Sequence, residues 1–488
     1  MNVLENMLTL WRWLLDHLLF INLILSIIII FFNRKDPKTV WAWLLLLYFI
    51  PIVGIVFYLV FGQDMHRSRM FRVKEIEDKL NFTIKSQEEF IRGHELDTTS
   101  AIAQNYSDLI LYNLEISGAV YTQNNDVTIL TDGEEKFDLL MKEIEQAEKY
   151  IHIQYYIIRN DEVFDRIKKA LILKVREGVE VRVLFDSMGC KSVPRRIWKQ
   201  LFAAGIKIGE FFPSLPGRIP VRVNYRNHRK IVVIDGKVGF VGGFNIGKEY
   251  ISKDVKFGYW RDTHLRIAGS AVMALQIRFA LDWNYATKEN LFLNSDYFIE
   301  EEVKFENLGI QIISSGPDSK YNLIHDNYLR MIHKAKKNIY IQTPYFIPDE
   351  SILLALRIAA KSGIDVRLMI PCKPDHPFVY WATYSYMGDL LDAGAKCYIY
   401  ENGFLHAKGV TVDGLVCCYG TANMDIRSFE LNFEVNAVIY DEKTTREMED
   451  VFRRDMKKSK RITMAEYTKR SFIIRVKEQC FRLLSPLL

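Results

Sequence analysis

Net charge is nearly absent from this 488-residue sequence: Lys and Arg number 65 against 60 Asp and Glu, a surplus of five. So small an excess gives no argument for a nucleic-acid partner. Cysteine is also scarce. Cys190, Cys372, Cys397, Cys417, Cys418 and Cys480 form no C-x-x-C pair, which excludes a disulfide scaffold or a zinc cluster as the organising feature of so long a chain. Met1 to Leu8 holds no basic residue, which argues against a secretory signal peptide. What is abundant is ordinary globular material: 49% hydrophobic and 26% charged residues exclude a disordered or collagen-like chain. The length predicts two or more domains.

A mean hydropathy of −0.04 averages over unlike parts. After His17 the chain is uncharged to Phe32, and Val40 to Phe61 runs 22 residues without a charge. A bilayer core needs about 20 apolar residues of helix, because a spanning backbone must satisfy its own hydrogen bonds. Residues 1–62 are therefore expected to form a two-helix transmembrane hairpin. Trp41, Trp43 and Tyr58 lie towards its interfaces, and Pro51 and Gly54 kink its second span. The loop holds Arg34, Lys35 and Lys38; the flanks hold Arg12, Arg67, Arg69, Arg72, Lys74 and Lys79. Six basic residues against three orient the body towards the cytoplasm. A polar connector, residues 63–110, follows.

The remainder is duplicated. Glu148-Lys-Tyr-Ile-His-Ile-Gln-Tyr-Tyr156 is echoed by Lys336-Lys-Asn-Ile-Tyr-Ile-Gln-Thr-Pro-Tyr345, each an alternating run that reads as a strand. Helical patterns follow at Val163 to Glu177 and Ser351 to Lys361, closed by Gly178 and Gly363. Matching strands come next, Val179 to Leu184 and Ile364 to Met369, and then second helices ending at Gly205 and Gly394. Strand–helix alternation predicts two α/β domains, residues 111–290 and 291–460, followed by a basic amphipathic tail at 461–488. The first copy carries extra length, including the proline-rich Phe212 to Pro220.

The pattern H-x-K-x4-D-x6-G-[GT]-x-N occurs twice: His228, Lys230, Asp235 and Asn245; then His406, Lys408, Asp413 and Asn423. On a strand, positions i and i+2 share a face, so each His projects with its Lys. Imidazole beside ammonium is a poor core pair but a good oxyanion pair. Lysine offsets phosphate charge, while histidine attacks phosphorus or moves a proton. Asn245 and Asn423 are candidates for donating amide hydrogens to the same oxygens. A lone strand histidine is more often structural; two in matching repeat positions are not. Asp235-Gly236 and Asp413-Gly414 also read as hairpin turns, so for these aspartates a bracing role stands beside a chemical one.

These paired motifs resemble the phospholipase D superfamily over most of residues 110–460. The resemblance extends to Asn432-Phe-Glu434-Val-Asn436, the counterpart of the family's N-x-E-N element, where the acid orients the histidine of its own copy. It therefore implies that Glu434 holds His406 and that Asp262, in Trp260-Arg-Asp262-Thr-His264, holds His228. Together with the N-terminal NRKDP and AWLLLLYFIPIVGIVFYLVFG, the segments Asn224 to Gly236, Tyr259 to Ile267 and Gly420 to Ala437 are similar to bacterial cardiolipin synthases. That resemblance implies transfer of a phosphatidyl group between two phosphatidylglycerol molecules, releasing glycerol. His228 is taken as nucleophile and His406 as acid and base, without metal or cofactor. It further implies a bacterial cell-membrane enzyme with lipid partners and no nucleic-acid partner. A lipase or another phosphatidyltransferase, a nuclease, and a scaffold with relic motifs are the competing readings. Arg218, Arg222 and Arg226 are candidates for a lipid-phosphate contact or a solvated basic face. Tyr467 to Leu484 is a candidate either for lying on an anionic membrane or for packing on the body.

Overall fold

The structure, a computed structural model, describes residues 17–32, 37–58, 100–213, 225–299 and 307–485, with positions 13, 87 and 305. Most flanking charges of the expected hairpin, nearly all of the connector before residue 100, Arg218 and Arg222 lie outside the described residues. Two compact units result: an N-terminal one and a large one holding both repeats.

The N-terminal unit contains helices Leu18–Phe32, Pro37–Phe49 and Pro51–Phe57. The second apolar run is interrupted at Ile50 (φ −135°, ψ 67°), directly before Pro51, because the residue preceding a proline is driven out of the helical region. Among the described residues no helix is long and apolar enough to cross a membrane. The longest apolar helix here has 15 residues, and 15 residues rise about 22 Å against a hydrocarbon core of about 30 Å. Trp43 and Tyr58, expected near interfaces, are buried against each other instead, with ring centroids 5.4 Å apart. Ile29 and Leu47 complete that small core. Phe20, Leu23, Ile27, Ile30, Trp41 and Phe49 face outward.

After a short helix at Ala101–Asn105, the large unit has helix α1 (Ser107–Ser117) and strand β1 (Tyr121–Thr122). The first repeat follows: β2 (Asn125–Leu130), α2 (Gly133–Gln146), β3 (Tyr150–Tyr155), α3 (Glu162–Arg176), β4 (Glu180–Asp186), β5 (Lys207–Phe211), β6 (Arg226–Asn227), β7 (Ile231–Ile234), β8 (Val238–Gly242), β9 (Trp260–Arg261), β10 (His264–Gly269) and α4 (Val272–Thr287). Its seven-stranded sheet runs β2-β10-β8-β7-β3-β4-β5, with β3, β4 and β5 parallel and the others antiparallel. The second repeat includes β11 (Gly309–Ser315), β12 (Asn338–Gln342), β13 (Phe346–Ile347), a helix (Glu350–Lys361), β14 (Asp365–Pro371), α5 (Pro377–Asp392), β15 (Lys396–Tyr400), β16 (Phe404–Leu405), β17 (Gly409–Val412), β18 (Val416–Gly420), β19 (Met424–Asp425), β20 (Asn432–Tyr440), α6 (Glu442–Met456) and β21 (Ser459–Ile462); α7 (Phe472–Arg482) is the last helix among the described residues. The order β11-β20-β18-β17-β12-β14-β15 repeats the first sheet strand for strand, with β1 and β21 added at the edges. Residues 101–122 thus pack on the second repeat, although the sequence divides them between connector and first domain.

The physical reasons are local. β3 and β12 are buried almost throughout, as central strands covered on both faces must be. Helix α2 is capped by Asp132, which accepts from the Glu134 and Glu135 N–H groups, and it buries Phe137, Leu140 and Ile144. Gly178 and Gly363 close their helices at φ 94° and 92°, a conformation that disfavours a Cβ. Between the sheets one shared core joins Phe279 and Trp283 of α4, Leu265 and Ile267 of β10, and Val435, Ala437 and Met448 of the second repeat.

Candidate active site

In each repeat the H-x-K triplet is an extended lead-in just before the strand, not part of it. Ile231 of β7 pairs with Gln154 of β3, and Gly409 of β17 with Gln342 of β12. Both triplets therefore lie beyond the carboxyl ends of parallel strands, where open α/β sheets place their sites.

Two short parallel ladders join the repeats here. β6 pairs with the start of β20, and the His228 N–H donates to Phe433 O at 2.9 Å. β9 pairs with β16, and the His406 N–H donates to Arg261 O at 2.7 Å. The next residue on each facing strand is acidic. His228 Nδ1 lies 3.0 Å from Glu434 Oε1, and His406 Nδ1 lies 2.6 Å from Asp262 Oδ2. This corrects the pairing that the resemblance implied: each acid faces the histidine of the other repeat, because the ladders bring it there. Asp262 and Glu434 are fully buried, whereas the histidine side chains keep 14% and 19% exposure, a narrow opening for each ring.

The charges are finely opposed. Burial, assisted by Lys230, pushes His228 down to about 4 despite Glu434. Burial and then Lys408 also lower His406, so both rings are neutral near pH 7. Burial lowers Lys230 to about 7, Glu434 opposing and Lys408 adding to the fall. Burial raises Asp262, but Lys408 and His406 outweigh it and hold the carboxyl below its usual range. Lys230 Nζ donates to His228 O at 2.6 Å; Lys408 Nζ lies 2.7 Å from His406 Nδ1. Two buried lysines that disfavour each other's charge form an environment an anion would stabilise. Tyr156 packs against the His228 ring at 4.2 Å and Trp260 against His406 at 5.0 Å.

Sequence reasoning missed the support behind the acids. Arg229 is held by Asp282 at 2.5 Å and donates Nε to the carbonyl of Glu434. Arg261 is held by Asp455 at 2.9 Å and donates to the carbonyl of Asp262. Gln154 donates to Asp282 and Gln342 to Asp455. Both repeats thus fix the acid's main chain with a buried guanidinium, a helical aspartate and a strand glutamine. The guanidinium comes from the H-x-K triplet in one case and from the acid strand in the other. The signal was present in the duplicated Ile-Gln of β3 and β12. Glu434 also accepts from Thr421 Oγ1 at 2.5 Å. At the equivalent Gly243 a Cβ would lie 1.9 Å from Asp262 Oδ1, so only glycine admits that carboxylate.

Asp235 and Asp413 are not at this site, which corrects their placing among the catalytic candidates. Asp235 accepts from the N–H groups of Glu148, Lys149 and Tyr150; Asp413 accepts from those of Lys336, Lys337 and Asn338. They sit in left-handed turns (φ 54° and 57°) at the far ends of β7 and β17, seven residues and about 20 Å of extended chain from their histidines. Asn245 accepts from Ile157 N–H and donates to Tyr250, and the Asn423 side chain bonds Asp425. Arg226, a candidate for lipid phosphate or a solvated face, is buried on β6. Among the described residues no group of His, Cys, Asp and Glu is arranged to hold a metal ion.

Residues 140–259 and 328–456 match the family described as cardiolipin synthase, PLD-like domain. The chain belongs to this cardiolipin synthase family. Residues 20–63 match a second family, the phospholipase D-nuclease N-terminal region. The chain is 49% identical to the cardiolipin synthase of Oceanobacillus iheyensis, over 96% of this chain and 97% of that one. It is 47% identical to the major cardiolipin synthase ClsA of Bacillus subtilis, over 97% and 99%. The solved structure of phosphatidylserine synthase from Haemophilus influenzae shares the fold, with a TM-score of 0.60 at 15% identity, covering 78% of this chain and all of that one.

Proposed function

We propose that this chain is a cardiolipin synthase that transfers a phosphatidyl group from one phosphatidylglycerol to another, releasing glycerol. The observation that carries the reading is the pair of histidines, each with Nδ1 within 3.0 Å of a carboxylate of the opposite repeat and each beside a lysine. With Nδ1 engaged, Nε2 is the reactive atom of both rings.

His228 Nε2 attacks phosphorus; the P–N bond forms as the bond to the glycerol oxygen breaks. Positive charge developing on the His228 ring is stabilised by Glu434. The arriving phosphodiester anion raises the affinity of His406 for a proton, and His406 delivers that proton to the departing glycerol. The terminal hydroxyl of a second phosphatidylglycerol then returns a proton to His406 and attacks phosphorus, breaking the P–N bond. Lys230 and Lys408, with the remaining amide hydrogens of Asn245 and Asn423, offset charge on the phosphoryl oxygens. Asp262 holds His406 in the tautomer this requires. The N-terminal unit, with its outward Phe20, Leu23, Ile27 and Ile30, holds the enzyme in a bacterial membrane, its body on the cytoplasmic side. The test incubates purified protein with phosphatidylglycerol in detergent, separating the lipids and measuring glycerol. Cardiolipin and glycerol in equal amounts are expected; phosphatidic acid without cardiolipin would identify a lipase instead.

A further inference from the structure

A helix on a globular surface ordinarily turns its apolar stripe inward and its charges outward. The last helix of the described residues, α7, also buries an acid and turns a second apolar stripe outward. Its only acid, Glu478, is 1% exposed and ion-paired to Arg470 at 2.8 Å. Arg482 pairs with Asp389 of α5 at 2.6 Å, and Tyr386 of α5 donates to Ser485 at 3.1 Å. Phe481, packed on the core, and the polar contacts to α5 hold α7 to the body. The opposite side carries Phe472 (78% exposed), Ile473 (66%), Val476, Cys480 and Leu483 (81%). Positions 472, 476, 480 and 483 follow the helical repeat and form one continuous stripe.

The patch lies at the same end of the second sheet as the active site. Phe481 packs on Phe378, itself 56% exposed, with ring centroids 4.9 Å apart. Phe378 opens α5 at the carboxyl end of β14, the edge of the sheet where His406 lies. Asp375, three residues earlier, acts electrostatically on both His406 and Lys408. The rim of the stripe is basic: Lys469, Arg475 and Lys477 are exposed, and no exposed acid occurs between Tyr467 and Ser485.

We propose that the outward face of α7, with Phe378, docks the body onto an anionic bilayer and sets the mouth of the site at the lipid surface. Apolar side chains at the centre with basic ones at the rim fit acyl chains below and anionic headgroups around them. This rests on the proposed use of lipid substrates, and it adds a second membrane contact to the N-terminal unit.

Cys480 provides the probe. The full chain, in a Cys372→Ser background, is labelled at Cys480 with an environment-sensitive fluorophore and reconstituted into vesicles of phosphatidylglycerol and phosphatidylcholine, or of phosphatidylcholine alone. Flotation of the same samples reports whether protein is on the vesicles. Blue-shifted emission, quenched by nitroxide lipids more strongly with phosphatidylglycerol present, is expected. Protein that floats while its label stays water-like overturns the proposal, as does protein that does not float. Self-quenching that depends on protein concentration and not on lipid would assign the face to a second copy and equally overturn it. In activity, the triple variant Phe472→Ser, Ile473→Ser, Leu483→Ser should raise KM for vesicular phosphatidylglycerol about tenfold. Its rate on dispersed short-chain phosphatidylglycerol should stay unchanged, and Phe472→Trp should behave as the parent. An equal loss on both substrate forms would refute a docking role. Failure of the parent to form cardiolipin from either form would refute the proposed function alone, because the fluorescence arm needs no turnover.

Discussion

The crossed pairing of acids and histidines makes Glu434→Gln and Asp262→Asn separable experiments. In the proposed first step His228 Nε2 attacks phosphorus and its ring becomes cationic, facing Glu434 at 3.0 Å. At an effective dielectric of about 20, a full charge at that separation is attracted by about 5.5 kcal/mol. Roughly half the charge has developed in the transition state, so neutralising Glu434 should raise the barrier by about 2.7 kcal/mol, or about a hundredfold in rate. Asp262 acts instead through His406, whose first task is to protonate the leaving alcohol. A phosphatidyl ester of p-nitrophenol needs no such proton. Stopped-flow detection of p-nitrophenol should therefore show a burst in Asp262→Asn within about threefold of the parent rate, followed by slow turnover. In Glu434→Gln the burst itself should slow about a hundredfold. The opposite pattern would make His406 the nucleophile. Parent-like bursts in both variants would refute the electrostatic argument.

Asp235→Asn and Asp413→Asn each weaken a carboxylate bonded to three main-chain N–H groups. Each should cost about 1.5–3 kcal/mol of stability, seen as a fall in Tm, while kcat of the folded protein at low temperature is retained; a catalytic collapse without loss of Tm would count against bracing. Gly243→Ala should reproduce the Asp262→Asn burst and slow turnover, because the new methyl occupies the carboxylate's position; normal turnover would show that Asp262 can retreat at no cost. Protonation links the site to pH with a definite sign. His228, depressed from its ordinary 6.5 to about 4, binds a proton more readily when unfolded, so stability is whole above about 6.5 and falls as pH drops towards about 4; His228→Gln should flatten that limb in pH-dependent melts. Lys230, lowered to about 7, loses its charge above that pH, so KM for phosphatidylglycerol should rise there. A KM constant to pH 9 would remove Lys230 from phosphate binding.

The duplicated strands, the glycine-closed helices and the paired motifs were legible because each is a local pattern: Gly178 and Gly363 terminate matching helices, and the two sheets agree strand for strand. Partner choice was not local. Glu434 follows His406 within one repeat, and the family resemblance implied that they pair; the two-residue ladders β6–β20 and β9–β16 overrule it. No periodicity announces a ladder of two residues. The same limit hid Arg229 and Arg261, whose side chains are anchored by aspartates 53 and 194 residues away. The aspartates of the motifs were ambiguous for another reason: the Asp235-Gly236 and Asp413-Gly414 pairs describe hairpin turns and say nothing of which end of the strand does chemistry.

These long-range anchors make each repeat depend on the other. Neither repeat holds a complete histidine–carboxylate pair: His228 needs Glu434, and His406 needs Asp262. Each acid is in turn fixed by an arginine from the first repeat, Arg229 on one side and Arg261 on the other, while the counter-aspartates come one from each, Asp282 and Asp455. Where the first motif has Arg229 the second has Ala407, and where the first acid strand has Arg261 the second has Phe433, over which Arg229 stacks at 5.2 Å. One guanidinium fits behind each acid, so the facing residue must be non-basic; Ala407→Arg would force two buried cations into the space beside Asp455. The near-symmetry of the backbone is thus broken in side chains that make the two halves complementary to each other and not to copies of themselves. Two copies of the first repeat would place two buried arginines behind each acid, and two copies of the second would place none. The two halves of the site therefore differ in their buried supports as well as in the acids themselves.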